Sequence, residues 1–303
     1  MDFRPLILSV LTAFLVLSCM SNKMEKNEPE VGLTFDVVVT ANTRTEGAAT
    51  EYPTDVPFGV WSYSLPADKL WIKDSGEASP VQTQEEVTYD EASDLWKPKS
   101  AIKWISSDND MSFFACSPYS APWNFSKENG ITIIGYDIDD GYDLMFSENL
   151  YDLNKTTSHG IVNVPFVKAL ADVEFMIRSS LPDGTTIKVK QMKVKNVATK
   201  GDFFSLPFAR WENTEKYEDI IFYEGGIEIG HDPVFLGNGK SMIPQTVLSE
   251  FELICDVISG EYILYDQIFK TEGQMRWGVG KTCTYNFKVT TDLEFIIESS
   301  LND

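Results

Sequence analysis

The densest group of potential metal ligands is the acidic run at residues 137–143. Asp137, Asp139 and Asp143 place carboxylates at alternating positions, with Glu148 further along the chain. Hard carboxylate oxygens are the ligands that Ca²⁺ prefers. However, Tyr142 stands where a helix–loop–helix calcium motif has glycine, and the flanking sequence lacks a helical period. We therefore favour a solvated acidic turn between two strands over a calcium site, and we expect no metal and no other cofactor.

An aromatic loop is the best candidate for contact with a ligand. Residues 118–123 (Pro-Tyr-Ser-Ala-Pro-Trp) carry Tyr119 and Trp123 between prolines, which predicts an exposed loop. Aromatic rings in such a loop provide a stacking platform for sugars, so Tyr119 and Trp123 are candidate ligand-binding residues. The alternative is that they pack in the interior, as we expect of most of the seven tryptophans.

Motifs that carry catalysis are missing. The chain has two histidines, His159 and His231, and neither has the sequence context of a nucleophile and its base. Zinc-protease, phosphate-loop and dinucleotide-binding patterns are also absent. Carboxylates are too abundant for the sequence to single out a pair suited to glycoside hydrolysis. We therefore expect that the protein is not an enzyme.

The cysteine near the N-terminus predicts a covalent modification. Cys19 follows a mostly apolar run (6–17) that suits the hydrophobic part of a secretion signal and is too short to span a bilayer as a helix. The preceding Val-Leu-Ser is similar to a bacterial lipoprotein signal, in which the thiol is acylated. We expect a signal peptide at 1–18, lipid on Cys19 and a polar tether at 19–30. The alternative is an ordinary secretory signal.

The other three cysteines do not form a recognisable framework. Cys116, Cys255 and Cys283 are far apart and odd in number, which excludes a paired disulfide scaffold and a CxxC metal site. Cys255 and Cys283 both lie in strand-like segments, so the sequence leaves a disulfide between them as an alternative. We favour small buried hydrophobic residues.

The elements that position these residues have a period of two. Apolar residues alternate with polar ones at 33–39, 251–257 and 285–289. Turn-forming residues lie between apolar segments at 181–184, 237–239 and 259–260. This pattern predicts an all-β chain of two tandem β-sandwich domains. A polar stretch at 154–159 sets the predicted boundary, which gives an N-terminal domain at 31–155 and a C-terminal domain at 156–303.

Composition excludes some classes of partner. Lys and Arg total 25 against 46 Asp and Glu, for a formal charge of −21. A nucleic-acid binder needs clustered cations, so we expect no nucleic-acid partner. The same charge argues against docking to anionic lipid through a basic face. Hydrophobic residues at 43% are sufficient for real cores.

Six short motifs follow one another between about residues 31 and 290. They are an aromatic strand (58–63), Trp-Lys-Pro (96–98) followed by an aromatic strand (111–119), Asp-Leu-Met (143–145), Val-Pro-Phe (164–166) leading into 170–175, Met-Ile-Pro-Gln (242–245) and a closing strand (277–285). With the lipoprotein signal, their order resembles the fimbrillin family, which comprises lipoprotein pilus subunits and pilus-associated proteins of anaerobic Gram-negative bacteria. Two positions depart from the pattern, because 167–169 lacks the family's histidine and Cys283 replaces a tyrosine.

The resemblance implies transthyretin-like β-sandwiches and subunits joined by donor-strand exchange. It implies that an Arg-specific protease removes the first strand and that a neighbour's strand replaces it. Arg44, the one arginine in that region, is the predicted processing site, and the alternative is an ordinary exposed turn residue. In the segments 33–40 and 292–297 every second residue is apolar, which is the pattern of a strand that inserts alternate side chains into the core of another sheet.

These expectations together describe a structural or adhesive subunit of a surface fimbria. The expected partners are other fimbrial subunits and, through the lipid, the outer membrane, where at least the precursor is anchored. Whether the protein also binds a host or bacterial adhesion ligand is left open by the sequence. The alternative is a surface glycan-binding lipoprotein that uses aromatic loops.

Overall fold

The computed structural model describes residues 32–39, 51–106, 108–148, 150–212 and 216–302. The predicted signal peptide, the acylation site Cys19, the tether and Arg44 lie outside these residues. No helix in the described part of the chain is long and apolar enough to cross a membrane.

The described chain is built almost entirely of strands, as predicted. Its α-helix, α1, is Trp71–Asp74, and single 3-10 turns occupy Ser75–Glu77 and Ile138–Asp140. The strands are β1 (Thr34–Val39), β2 (Phe58–Pro66), β3 (Ser79–Asp90), β4 (Leu95–Pro98), β5 (Asn109–Ser117), β6 (Asn124–Ser126), β7 (Gly130–Asp137), β8 (Met145–Ser147), β9 (Leu150–Leu153), β10 (Ile161–Lys168), β11 (Ala171–Ser179), β12 (Thr185–Ala198), β13 (Lys200–Phe204), β14 (Arg210–Glu212), β15 (Tyr217–Ile229), β16 (Val234–Phe235), β17 (Lys240–Met242), β18 (Thr246–Ser259), β19 (Tyr262–Arg276), β20 (Thr282–Val289) and β21 (Phe295–Asn302).

The first sheet closes on itself. Its strand order is β2-β3-β4-β1-β10-β8-β5-β9, and β5 also pairs antiparallel with β2, from Gly59↔Cys116 to Pro66↔Asn109. Alternate side chains of each strand point inward, because the period of a strand is two. The enclosed core includes Phe58 and Phe113, both fully buried.

Two further sheets share a core in the second half of the chain. Their strand orders are β16-β11-β20-β21, with β17 also pairing with β11, and β15-β12-β18-β19. Phe175 in β11 contacts Phe251 in β18 and Phe287 in β20, with ring centroids 5.9 and 5.4 Å apart. The alternation predicted for 251–257 and 285–289 is thus confirmed, because the inward residues of β18 and β20 fill this core.

A smaller sheet, β14-β13-β7-β6, covers a third cluster of buried side chains. Five of the seven tryptophans are buried and Trp104 and Trp211 are half-buried, which confirms that tryptophans mostly pack in the interior. Strand β10 follows the polar stretch 154–159 and joins the first sheet through β1 and β8. The division into domains at 31–155 and 156–303 stays a prediction.

Candidate functional site

The first strand has the most unusual pairing in its sheet. Strand β1 runs parallel to β10 over six residues, from Thr34↔Ile161 to Val39↔Phe166. On its other side it meets β4 at a single position, Phe35↔Trp96. Just before the strand, the backbone N–H of Leu33 donates to the carbonyl of Ile102 at 2.9 Å. The predicted strand is therefore present over Thr34–Val39, and it lies between two neighbours.

Side chains of this strand fill the interior of the closed sheet. Leu33, Phe35 and Val39 are 1%, 0% and 6% exposed, whereas Asp36 and Val38 face outward. The Phe35 ring packs edge-on against Phe58 and Phe113, with centroids 5.8 and 6.0 Å apart. Without β1, the sheet would therefore present an apolar groove with unpaired backbone groups along β10.

A buried tyrosine lines the same core. The Tyr52 ring stacks on Phe166 of β10 with centroids 5.2 Å apart, and its hydroxyl hydrogen-bonds the Ser117 hydroxyl at 2.6 Å. Burial raises the pKa of Tyr52 above its ordinary value, because the interior disfavours a phenolate. The groove that β1 occupies is consequently aromatic and uncharged, which suits the apolar side chains of an extended strand.

The last strand is held differently. Strand β21 pairs antiparallel with β20, from Val289↔Phe295 to Cys283↔Asn302, and lies at the edge of its sheet. Phe295 is buried and stacks on Phe287 at 5.1 Å, whereas Ile296 faces solvent. The Arg178 guanidinium donates twice to the Glu298 carboxylate, at 2.7 and 2.6 Å. The alternating pattern predicted at 292–297 therefore forms a strand from Phe295 onward.

The aromatic loop is exposed at Ser120 and Pro122, but its tryptophan is not. Trp123 is 3% exposed, and its indole N–H donates to the Pro118 carbonyl at 2.9 Å. Its ring packs on Phe203 of β13, so the expectation of an exposed Trp123 is wrong. Tyr119 is half-buried. Sequence alone missed the packing partner, because Phe203 is 80 residues further along the chain.

The acidic run forms a capped turn beside a lysine. Asp137 accepts from the backbone N–H of Asp139 at 3.2 Å, and the Lys216 ammonium lies 3.2 Å from Asp137 and 3.1 Å from Asp139. Asp143 points elsewhere, 3.7 Å from Lys168, and burial raises its pKa. Within the described residues, no group of three or more His, Cys, Asp or Glu side chains is arranged to hold a metal ion.

The three cysteines outside the signal region are all buried. Cys255 carries a free thiol, and the Cys283 thiol donates to the Arg276 carbonyl at 3.4 Å. Burial raises the pKa of Cys255 to about 12, so this thiol stays protonated and unreactive. The structure therefore has buried hydrophobic cysteines at these positions, and the disulfide left open by the sequence is absent.

Comparison with known proteins gives two kinds of relative. Over 133 residues the chain is 25% identical to the fimbrium subunit Fim1C of Phocaeicola vulgatus, which is 43% of this chain and 34% of that protein. The matched region thus spans about a third of the relative.

Solved structures share the fold over most of the chain. A fimbrial protein from Bacteroides vulgatus superposes with a TM-score of 0.65 at 16% identity, covering 90% of this chain and 98% of that one. A second structure, from Bacteroides ovatus, superposes with a TM-score of 0.57 at 10% identity and covers 90% and 96%. The profile of the fimbrillin-like family matches residues 22–303, and this chain belongs to that family.

Proposed function

We propose that this chain is a non-enzymatic structural or adhesive subunit of a cell-surface fimbria. Membership of the fimbrillin-like family supports this role, as does the name of the Phocaeicola relative. In this proposal Cys19 is acylated, and the lipid anchors at least the precursor to the outer membrane. Its partners are other fimbrial subunits, which join by donor-strand exchange.

The observation that carries the proposal is the position of β1. Cleavage after Arg44 would release a segment that includes β1, since Arg44 follows Val39 in the chain. The gap would expose the backbone of β10 and the aromatic residues beneath, which is the arrangement that an added strand recognises. Main-chain hydrogen bonds would then give affinity, and alternate side chains would enter the core.

The last strand supports the other half of the exchange. β21 has one neighbouring strand, β20, and lies at a sheet edge, with Phe295 buried and Ile296 exposed. An edge strand can leave one sheet and complete another with the loss of a single ladder. We therefore assign β21 as a candidate donor and β1 as the strand that it replaces in the next subunit.

Mass spectrometry of the mature surface protein tests this assembly. We expect an N-terminus at Thr45 in assembled protein and SDS-resistant ladders that disappear on heating. Arg44→Lys should abolish both, because an Arg-specific protease does not cleave after lysine. Arg276→Lys changes an exposed arginine far from the first strand and is the matched control. An assembled protein whose sole N-terminus is acylated Cys19 would contradict the exchange.

The alternative role, a surface glycan-binding lipoprotein, has less support. It relied on exposed aromatic side chains in the loop at 118–123, and Trp123 is buried. Saturable binding of a soluble polysaccharide by the monomer would support this alternative, and its absence would support a structural subunit.

A further inference from the structure

The two ends of the chain carry one apolar pattern. Residues 33–37 (Leu-Thr-Phe-Asp-Val) lead through β1, and residues 293–297 (Leu-Glu-Phe-Ile-Ile) lead into β21. Both segments place a leucine, a phenylalanine and an aliphatic residue at alternate positions. In β1 these side chains fill the core of the closed sheet, where Leu33 is 1% and Phe35 is 0% exposed. Because interiors are closely packed, a strand that replaces β1 must supply the same volumes at the same positions.

Leu293 is unfavourably placed in its own subunit. It lies in the turn between β20 and β21, is 42% exposed and has a φ of 61°. The left-handed region is sterically unfavourable for a large residue with a Cβ atom, and an exposed leucine gains nothing from burial. In an extended donor strand, Leu293 would lose the strained φ and would be buried in the place of Leu33.

We propose that the donor is the C-terminal segment of a second copy of this chain, and that its residues 293–297 take the positions of residues 33–37, parallel to β10. This register presupposes the proposed strand exchange and adds the partner, the alignment and the direction. Phe295 then fills the place of Phe35. Each copy has one groove and one matching donor, so the contact is head to tail and generates an open filament of identical subunits.

An acidic residue of the donor then faces a lysine just before the strand. Gly32 pairs with Lys103 in an isolated antiparallel bridge, and Lys103 is exposed. In the proposed register Asp292 takes the position of Gly32. Opposite charges on directly facing residues stabilise strand pairing. The donor thus forms a cross-strand ion pair that the glycine cannot form.

A second acidic residue meets a second lysine two positions later. Phe35 pairs with Trp96 in the antiparallel ladder between β1 and β4, so the preceding position of β1 lies beside Lys97. Glu294 of the donor takes that position. The Lys97 ammonium lies 2.5 Å from Asp90 and has three donors, so it can keep this partner and bind Glu294 as well.

Shifted registers fit the groove less well. A shift by one residue turns Glu294 and Glu298 toward the core, because successive side chains of a strand point to opposite faces. A shift by two in one direction sets Thr291 in the buried place of Leu33. A shift by two in the other direction sets Phe295 there, which overfills the space of a leucine. Each shift by two also leaves only one acidic residue beside the two lysines.

The charges also set the direction of the donor. Reversal about Phe295 keeps apolar side chains in the core, but it sets Ile296 beside Lys97 in place of Glu294. Only one of the two lysines then has an acidic neighbour. The parallel direction, which β1 itself takes along β10, gives both lysines an acidic neighbour.

Disulfide trapping in the assembled full chain tests the register. The cysteines after Cys19 are buried, so two added surface cysteines report their own contact. Residues that face each other in a ladder are close enough for a disulfide. We expect Lys103→Cys with Asp292→Cys to give an SDS ladder that survives heating and disappears with a reductant. The matched controls combine Lys103→Cys with Thr290→Cys or Glu294→Cys, for the two shifts by two, and with Glu298→Cys, for the reversed direction.

The outcomes separate the register from the strand exchange. Lys103→Cys alone should form the heat-labile ladder of the parent, which shows that the variant folds and assembles. If that ladder persists but Asp292→Cys does not make it resistant to heating, or a control pair does so equally, the register is overturned and the exchange stands. A parent chain without ladders would overturn both.

A charge exchange tests the contact at Lys97. Lys97→Glu should lower the temperature at which the SDS ladders dissociate, because it faces Glu294 of the donor. Adding Glu294→Lys should raise this temperature again, which the loss of the pair with Asp90 does not explain. Glu261→Lys, in an exposed turn, changes the net charge equally and should restore nothing. Equal dissociation temperatures in the two double variants would overturn the pairing of Glu294 with Lys97.

Discussion

The first and last strands of the described chain are held in opposite ways. β1 is six residues long and lies between two neighbours, with Phe35 fully buried. β21 is eight residues long and lies at an edge, with Phe295 buried and Ile296 exposed. The short strand is therefore held by neighbours on both sides and by its buried side chains, and the longer one by a single ladder, one buried ring and an ion pair.

Because β1 and β21 are held differently, the loss of each strand has a different consequence for its sheet. Without β1, the closed sheet opens between β4 and β10, and apolar side chains from several strands lose their contacts. Without β21, strand β20 becomes the new edge and keeps its parallel ladder with β11. A strand whose loss opens a core suits the acceptor site of a polymer, whereas an edge strand suits the donor.

The largest expected effect is on the core beneath β1. Phe35→Ala should lower the free energy of unfolding by about 3–5 kcal/mol, because it leaves a cavity enclosed on all sides. Phe295→Ala should cost less, since an edge strand can relax into the space. Urea denaturation of the uncleaved chain measures both, and Asp36→Ala, exposed on β1, is the control. Equal losses of unfolding free energy in Phe35→Ala and Phe295→Ala would contradict the difference between the two strands.

Sequence alone predicted the strands better than their partners. The period of two at 33–39 identified β1 to within about a residue, because alternation reports which face is buried. It carries no information on which strand lies alongside. Thr34 pairs with Ile161, 127 residues away, and closure of the first sheet depends on β2 meeting β5. Such non-local pairings are decided by packing of the whole chain.

In the candidate site too, the sequence predicted local features better than contacts between distant residues. Trp123 was expected to be exposed because its loop contains prolines, and its burial depends on the distant Phe203. The apolar run on β19 can be read from the sequence as Tyr-Ile-Leu-Tyr at 262–265, four consecutive large hydrophobic residues that follow the turn at 260–261. Consecutive exposed apolar residues in a strand depart from ordinary alternation and indicate a binding surface.

Alkaline pH should have an intermediate effect on the stability of the core that β1 helps to fill. The pKa of Tyr52 is raised in the folded chain, so its contribution to stability is complete below about pH 10 and is lost as pH rises toward the folded value. Above pH 10 the free energy of unfolding should fall by about 1.4 kcal/mol per pH unit from this residue. Tyr52→Phe should remove that slope, as measured by urea denaturation between pH 9 and 11.

Tyr285, a buried residue of β20 that pairs with Ser300 in the ladder between β20 and β21, is the matched residue. Burial raises its pKa as well, but the backbone N–H of Arg276 donates to its oxygen at 3.1 Å and stabilises the phenolate. The change of slope in Tyr285→Phe should therefore be smaller than in Tyr52→Phe. A larger change would show that the second core, near the edge strand, is the more sensitive of the two.

The smallest expected effect is on β21 alone. Arg178, with Lys288 at 3.5 Å, lowers the pKa of Glu298, so this contribution is present above the unfolded carboxyl pKa and is lost as pH falls through the folded value. Glu298→Gln should reduce hydrogen-exchange protection of the β21 amides by about threefold at neutral pH, because an exposed ion pair is weak. Glu294→Gln, just before the strand, should change nothing. Protection of β1 should stay constant in both variants, because β1 pairs with β4 and β10, whereas this ion pair joins β11 and β20 to β21. A parallel loss in β1 would mean that the two terminal strands open as one unit.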